Sequence, residues 1–292
     1  MKKIILVTGG AGHVGSHIIE ELIKDENNQV ISLDNYFNGS EKNHIEGAEY
    51  RKGDTKDIDK IIPENPDFVF HLGEYARVSP SFEDIEEVYE MNILGTFKVL
   101  EFCRKRKVKK LVYAASSTKF ADDGQERYAN PYSFSKATNV DLINSYCKWY
   151  NNPFSYAICY FYNAFGEREN GEGKYATVIA KFEKIYLNGG EFTVNKPGSQ
   201  KRNFTYVKDL AKGMILVAEK GEGDNYALNN EKAYSIIEIA EAFGGPIKYV
   251  EGYSGREKSG EAPSKAREEL GWDTSVDVID YIKDFVEKNP RK

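Results

Sequence analysis

Tyr132 and Lys136 stand four residues apart in the run NPYSFSKATNVDLINSYCKWY. On a helix that spacing puts both side chains on one face, so an ammonium can lie beside a phenol. A positive charge there favours the phenolate and makes Tyr132 a candidate general base for a hydroxyl proton. An ordinary amphipathic helix with a surface lysine would carry the same five-residue pattern, so its surroundings decide. Sixteen residues before Tyr132, the apolar run KKLVYAA leads into Ser116-Ser117-Thr118. Hydroxyls at the carboxyl end of a strand are where an open α/β sheet presents its ligand contacts. Ser116 can hydrogen-bond the reacting oxygen and relay its proton to Tyr132, with Ser117 and Thr118 as further substrate contacts. The competing reading is a hydroxyl cluster that only caps the strand.

These groups need elements to hold them and a partner for the chemistry. Residues 3 to 34, KIILVTGGAGHVGSHIIEELIKDENNQVISLD, read as strand, glycine turn, helix and second strand. Gly9 lets the chain turn off the strand, Gly12 leaves room for a pyrophosphate, and Gly15 lets the helix pack closely on the sheet. The helix N-terminus offers free N–H groups and partial positive charge to phosphates. Asp34, nineteen residues after Gly15, ends the second strand, where a carboxylate accepts both ribose hydroxyls and repels a 2′-phosphate. A glycine triplet alone also serves structural turns. With the strand, the helix and the acid in order, it specifies a dinucleotide site for NAD rather than NADP. An oxidised nicotinamide adds its charge to that of Lys136, and hydride can leave a sugar carbinol for it as Tyr132 takes the proton.

Further apolar runs up to Asp54 and over 66–73, 109–117 and 153–163 predict strands, with helices around 83–106 and 131–150. This is a doubly wound α/β chain with a Rossmann-type parallel sheet covered on both faces. After residue 166 the regularity weakens into loops at 166–174, 196–202, 221–224 and 252–261, with helices at 175–188, 208–220, 235–243 and 276–288. The division expected is an NAD-binding domain, 1–165, and a smaller α/β substrate-binding region, 166–292, lying over the carboxyl ends of the strands. Forty Lys plus Arg against 46 Asp plus Glu give a net charge of −6, which argues against a nucleic-acid surface. The basic run 104–110 reads as a solvated helix end. No stretch approaches the ~18 apolar residues of a membrane span, and the N-terminus enters the first strand directly, so a cytoplasmic protein is expected. Cys103, Cys147 and Cys159 are isolated and the four histidines scattered, which indicates no metal site and leaves His71 as a core residue.

TGGAGHVG, Asp34, Gly53-Asp54, FHLG at 70–73, the Ser116 cluster, YSFSK at 132–136 and YFYNAFG at 160–166 stand in an order that resembles the extended short-chain dehydrogenase/reductases. Among these the chain looks most like nucleotide-sugar epimerases and dehydratases of the UDP-galactose 4-epimerase type. RNFTYVKDLA (202–211) and SKAREELGW (264–272) carry the resemblance through the C-terminal half. It implies transient oxidation of a sugar at C4 by tightly bound NAD, with Tyr132 as base, and hydride return on the other face. It extends the cofactor pocket to His13, Val14, Asn35, Asp54, Thr55, Leu72 and Gly73, and to Tyr132 and Lys136 themselves, with Asp54 meeting the adenine. An N-cap role for Asp54 or Thr55 is the structural alternative. Asn163 and Arg202 would hold the nucleotide diphosphate, Arg202 through its bidentate fork. Tyr175, Val178 and Phe204 would line the nucleoside pocket, and Arg77 would reach the sugar. Family members usually pair through the two helices at 83–106 and 131–150, so a homodimer is implied. Relatives carry two small residues after the His-Leu strand, whereas this chain has Gly73-Glu74-Tyr75-Ala76-Arg77, which brings two charges near cofactor and sugar. Tyr160 stands where an arginine is common, and Arg256 and Glu257 occupy the place of a missing nucleotide clamp. A dehydratase would want Asp-Glu where Ser117-Thr118 stand. Alternatives on the same fold are a C4 dehydrogenase, a dehydratase or a decarboxylase. A non-catalytic NAD-binding sensor or scaffold would need neither Tyr132, Lys136 nor Ser116.

Overall fold

The computed structural model describes residues 2–252, 257 and 259–292, so Arg256 lies outside the described residues. The first 161 residues yield six strands: β1 (Lys3–Thr8), β2 (Asn28–Asp34), β3 (Glu49–Lys52), β4 (Phe68–His71), β5 (Lys110–Ser116) and β6 (Ser155–Phe161). Six more follow among the described residues: β7 (Asn163–Phe165), β8 (Phe192–Asn195), β9 (Lys201–Tyr206), β10 (Gly223–Leu228), β11 (Ala233–Ser235) and β12 (Ile247–Val250). The central sheet runs β10-β6-β5-β4-β1-β2-β3 with every neighbour parallel. The chain crosses over between β3 and β4, and the carboxyl ends of β1 and β4 open the crevice where such sheets bind ligands.

Among the described residues, ten α-helices cover and extend this sheet: α1 (His13–Leu22), α2 (Ile58–Ile61), α3 (Ile85–Val88), α4 (Gly95–Arg106), α5 (Pro131–Trp149), α6 (Val178–Leu187), α7 (Val207–Lys220), α8 (Ile236–Phe243), α9 (Lys265–Leu270) and α10 (Val278–Lys288). Six π-helical residues, Tyr89–Leu94, join α3 to α4. On one face Ile18 and Ile19 of α1 and Met214 and Val217 of α7 pack on Val7, Val30 and Val112. On the other, Val99 and Leu100 of α4 and Val140 and Ile143 of α5 pack on Leu6, Val69, Leu111 and Ile158. Each such side chain, fully removed from water, contributes roughly 1.5–3 kcal/mol. A third cluster, with Phe165, Phe182, Phe204, Phe243 and Ile282, forms the core of the C-terminal part.

The structure departs from the sequence reading at several points, three of which bear on the central sheet and the surface beside it. The run expected as one strand over 153–163 breaks at Tyr162, passing the chain from β6 in the central sheet to β7 in a small sheet ordered β11-β9-β7. β10 has no counterpart among the expected strands: it opens with Gly223-Asp224-Asn225, and only Tyr226-Ala227-Leu228 carry an apolar signal. With α7 it brings the chain beyond residue 166 back onto the central sheet. The basic run is not a freely solvated helix end. Lys105 and Arg106 pair with Asp59, Arg104 with Glu101, and Lys110 is buried with its ammonium on the Gly221 carbonyl.

Candidate active site

The glycine turn works by exclusion. Gly9 has φ 72°, and a Cβ there would lie 2.9 Å from the Leu72 carbonyl and the Gly73 nitrogen at the end of β4. A Cβ on Gly15 would run into the Gly9 carbonyl oxygen, so helix and turn close only without it. Gly12 caps α1 without a side-chain bond and leaves the helix N-terminus open. His13 and Val14 follow on the cavity wall. His13 is pushed down to about 3 by burial and by the charges of His17, Arg77 and Arg168, and its buried Nε2 has no hydrogen-bond partner. In its Nε2–H tautomer His13 would present a buried donor without an acceptor beside the helix N-terminus, which suits a phosphate oxygen.

Asp34 ends β2 as expected and already accepts two backbone bonds, from Ala11 (2.9 Å) and Tyr36 (2.8 Å). Burial raises it above the usual carboxylate range. A carboxylate has about four acceptor positions, so capacity remains for ribose hydroxyls. Asn35 donates to Asp54 Oδ1 at 2.8 Å. Asp54 does not cap the following turn with its side chain, so the capping alternative fails. Thr55 is buried against Gly73 and Gly95.

At the other end of the cleft, Ser116 accepts from the Thr118 amide (3.3 Å) and hydroxyl (3.0 Å). The capping reading of this cluster is therefore realised, yet it leaves the Ser116 proton to donate elsewhere. Ser117 and Thr118 are buried beside it on the wall of the same cavity. Asn130 starts α5 by accepting from Ser133 N at 2.8 Å, Pro131 fills the first position, and Tyr132 comes second. One turn on, Lys136 is buried, its ammonium bonded to the Ala114 carbonyl and to Glu74.

One cavity of about 570 Å³ runs along these residues from Asp34 to Tyr132 and on to the C-terminal part. Its far wall holds Asn163, Tyr175, Val178, Arg202 and Phe204. Asn163 donates to the Asn203 carbonyl at 2.9 Å, and Arg202 on β9 donates to the Lys201 carbonyl at 2.8 Å. Phe204 is also part of the C-terminal core, and Val178 packs against that core from its edge. Tyr175 donates to Asp84 at 2.8 Å, and its ring lies 5.2 Å from that of Phe37 and 6.1 Å from that of Tyr75. Arg77 ties the cleft to the C-terminal part through its Nε, 2.7 Å from the Tyr175 carbonyl.

The expected site residues that are described thus meet in one cleft, but several of its groups were not among them. Glu126 and Glu169 line the cavity. Burial, helped by Glu183, pushes Glu169 up to about 8. Asn92, Thr96, Tyr113 and Asn139 surround Glu74 and the Tyr75 backbone. Polar Asn92, Thr96 and Asn139 on otherwise core-facing helices were the available signal. Tyr160 is buried in the sheet instead, donating to Asp224 at 2.7 Å.

The chain that builds this glycine cradle, the acid at the end of β2 and the Tyr-Lys-Ser group matches, over residues 5–229, a known protein family described as the NAD dependent epimerase/dehydratase family. The chain belongs to that family. A relative from Methanocaldococcus jannaschii, named a putative UDP-glucose 4-epimerase, is 32% identical over 97% of both chains. UDP-glucuronic acid decarboxylase 6 of Arabidopsis thaliana is 29% identical over 93% of this chain and 84% of its own. Among solved structures, the Thermus thermophilus UDP-glucose 4-epimerase in complex with NAD superposes with a TM-score of 0.85 at 26% identity, covering 97% of this chain and 98% of that one. As a member of the NAD dependent epimerase/dehydratase family, the chain takes NAD as its cofactor, and the cradle described above fits it.

Proposed function

We propose that this protein is an NAD-dependent nucleotide-sugar 4-epimerase, acting by preference on a UDP-sugar. The observation that carries the proposal is the convergence of Tyr132, Lys136 and Ser116 on the cavity that also holds the glycine turn, with hydroxyls at 117 and 118 where a dehydratase would carry acids. Gly9, Gly12, Gly15, His13 and Asp34 would hold NAD, which supplies reversible two-electron oxidation of a carbinol carbon. Tyr132 takes the proton of the C4 hydroxyl while Ser116 donates to the same oxygen and fixes its position. Tyr132 then holds that proton until the 4-keto sugar, turned to present its other face, is reduced and reprotonated. Substrate and product have the same oxidation state. Asn163 and Arg202 hold the diphosphate through which the sugar turns, and Tyr175, Val178 and Phe204 the nucleoside.

The relatives at comparable identity include a decarboxylase, and Glu169 gives a second reading, dehydration or decarboxylation, a specific observation: it is a carboxyl group on the cavity wall that burial pushes up to about 8. Incubation with UDP-, GDP- and dTDP-sugars, followed by NMR of the sugar and by NADH absorbance, separates the readings. Inversion at C4 with no accumulated NADH supports the epimerase. Loss of water or carbon dioxide overturns it in favour of the second reading, and steady NADH points to a C4 dehydrogenase. We also place the protein in the cytoplasm; no helix among the described residues is long and apolar enough to cross a membrane. It would act as a homodimer, paired through the exposed apolar face of α3, α4 and α5.

A further inference from the structure

Glu74 follows β4 in a sharp turn, its amide 2.8 Å from the Leu72 carbonyl. Its side chain is 2% exposed and fully committed. Oε2 meets the Lys136 ammonium, and Oε1 accepts from Thr96 Oγ1 (2.7 Å), Asn139 Nδ2 (2.7 Å) and Tyr113 OH (3.1 Å). Thr96 in turn lies 2.9 Å from His71 Nε2, and His71 Nδ1 lies 2.7 Å from Thr8 Oγ1, which accepts the Leu72 and Gly73 amides. With His71 in its Nε2–H tautomer, each donor of this chain meets an acceptor from the end of β1 to the lysine. Burial holds His71 down to about 4, so it is neutral. Lys136 is therefore the cation that balances Glu74 among the described residues.

A buried carboxylate in contact with the ammonium cancels most of its field at short range, because the pair presents a dipole rather than a charge. A lysine has three N–H donors. Two are spent, on Glu74 and on the Ala114 carbonyl, and one remains for a ligand. The ammonium also sits 4.7 Å above the Tyr113 ring, which fixes it further. We infer that Glu74 is a positioning residue for the reaction: it anchors Lys136 against the sheet and pairs its charge, so that the phenol of Tyr132 works beside an ion pair rather than beside an unpaired lysine. This rests on Tyr132 being the base of the proposed epimerase. Other ionisable groups around it are Arg77 from the β4 loop, Tyr113 from β5 and Glu126 from the loop before α5.

The test is direct titration of Tyr132 in the full chain, with and without NAD, by the Cζ shift of ¹³C-tyrosine, assigned through loss of the signal in Tyr132→Phe. Glu74→Gln keeps the shape and leaves one net positive charge. The expected result is a titration moved to lower pH, raising the phenolate fraction at fixed pH by about threefold or more. Glu74→Gln combined with Lys136→Met restores a neutral pair and should return the curve towards the parent, and Lys136→Met alone should move it the other way. An unchanged curve in folded Glu74→Gln, with only thermal stability lost, overturns the inference. Should Glu74→Gln not fold, a Tyr132 curve in the double variant matching that of Lys136→Met would overturn it equally. No nucleotide sugar is needed, so failure of the epimerase reading shows separately, in the sugar panel. Where a sugar is turned over, the rising limb of kcat against pH moves with the phenol.

Discussion

Tyr132 carries the chemistry proposed here, and removing one oxygen tests it. Tyr132→Phe should keep NAD bound, because the glycine turn and Asp34 are untouched, while kcat falls by about 10²- to 10⁴-fold, the contribution of a positioned general base. Turnover at the parent rate would remove Tyr132 from the mechanism. Glu169 makes a different prediction, one of stability. An unfolded glutamate ionises near ~4.3. In the folded chain burial, with Glu183 adding to it, holds the proton on Glu169 up to about 8, and Oε2 has no hydrogen-bond partner. The stabilisation is therefore whole below the unfolded value and is lost as the pH rises through about 8. Melting the NAD-free chain between pH 5 and pH 9 should show Tm falling, and Glu169→Gln should flatten that fall by a few degrees. An identical slope in the variant would mean that Glu169 is ionised in the folded state.

At the scale of elements, α5 matters most for its first turn. Asn130 caps it at 2.8 Å from Ser133 N, and Tyr132 is the second helical residue, so the cap sets where the phenol points. Asn130→Ala should cost about 1 kcal/mol in urea unfolding, the usual value of such a cap. Its effect on kcat should exceed its effect on NAD affinity. Equal losses in both would show that the cap serves stability alone. The elements legible in the sequence were the strand, glycine turn and helix through Asp34, the Ser116 strand end, and the helix around 131–150 that carries the Tyr132–Lys136 spacing. What stayed hidden depends on contacts between distant segments. β10 is a strand because β6 offers it a free edge, not because Gly223-Asp224-Asn225 favour extension. Glu74 was visible as a charge where relatives are small, but its partner lies 62 residues away, and only the fold brings Lys136 to it. Asp54 shows the converse: a good capping residue locally, it is claimed instead by Asn35 from the end of the neighbouring strand β2.

Across the whole molecule, the described residues leave an apolar face uncovered on adjacent helices. Ile85 (49% exposed), Tyr89 (42%), Leu94 (40%) and Phe97 (39%) lie along α3, the π-helical turn and α4, with Phe134 (36%) on α5 beside them. The Tyr89 and Phe134 rings are 6.5 Å apart, so the two helices present one patch. Single exposed apolar residues are ordinary, whereas a contiguous patch on adjacent helices marks an interface. A second copy related by a two-fold axis would cover it with four helices and an isologous contact. The same helices carry Asn92, Thr96 and Asn139, which hold the 74–75 backbone and the Glu74 side chain against Lys136. Pairing would thus brace the network that positions Lys136. Sedimentation at micromolar concentration should give twice the chain mass of 33.1 kDa. Leu94→Glu with Phe97→Glu should give the single mass and, by loosening α4 against α5, release NAD more readily than the parent. A parent of 33 kDa would refute the pairing, and a monomeric variant with parental NAD retention would show that the interface and the site are independent.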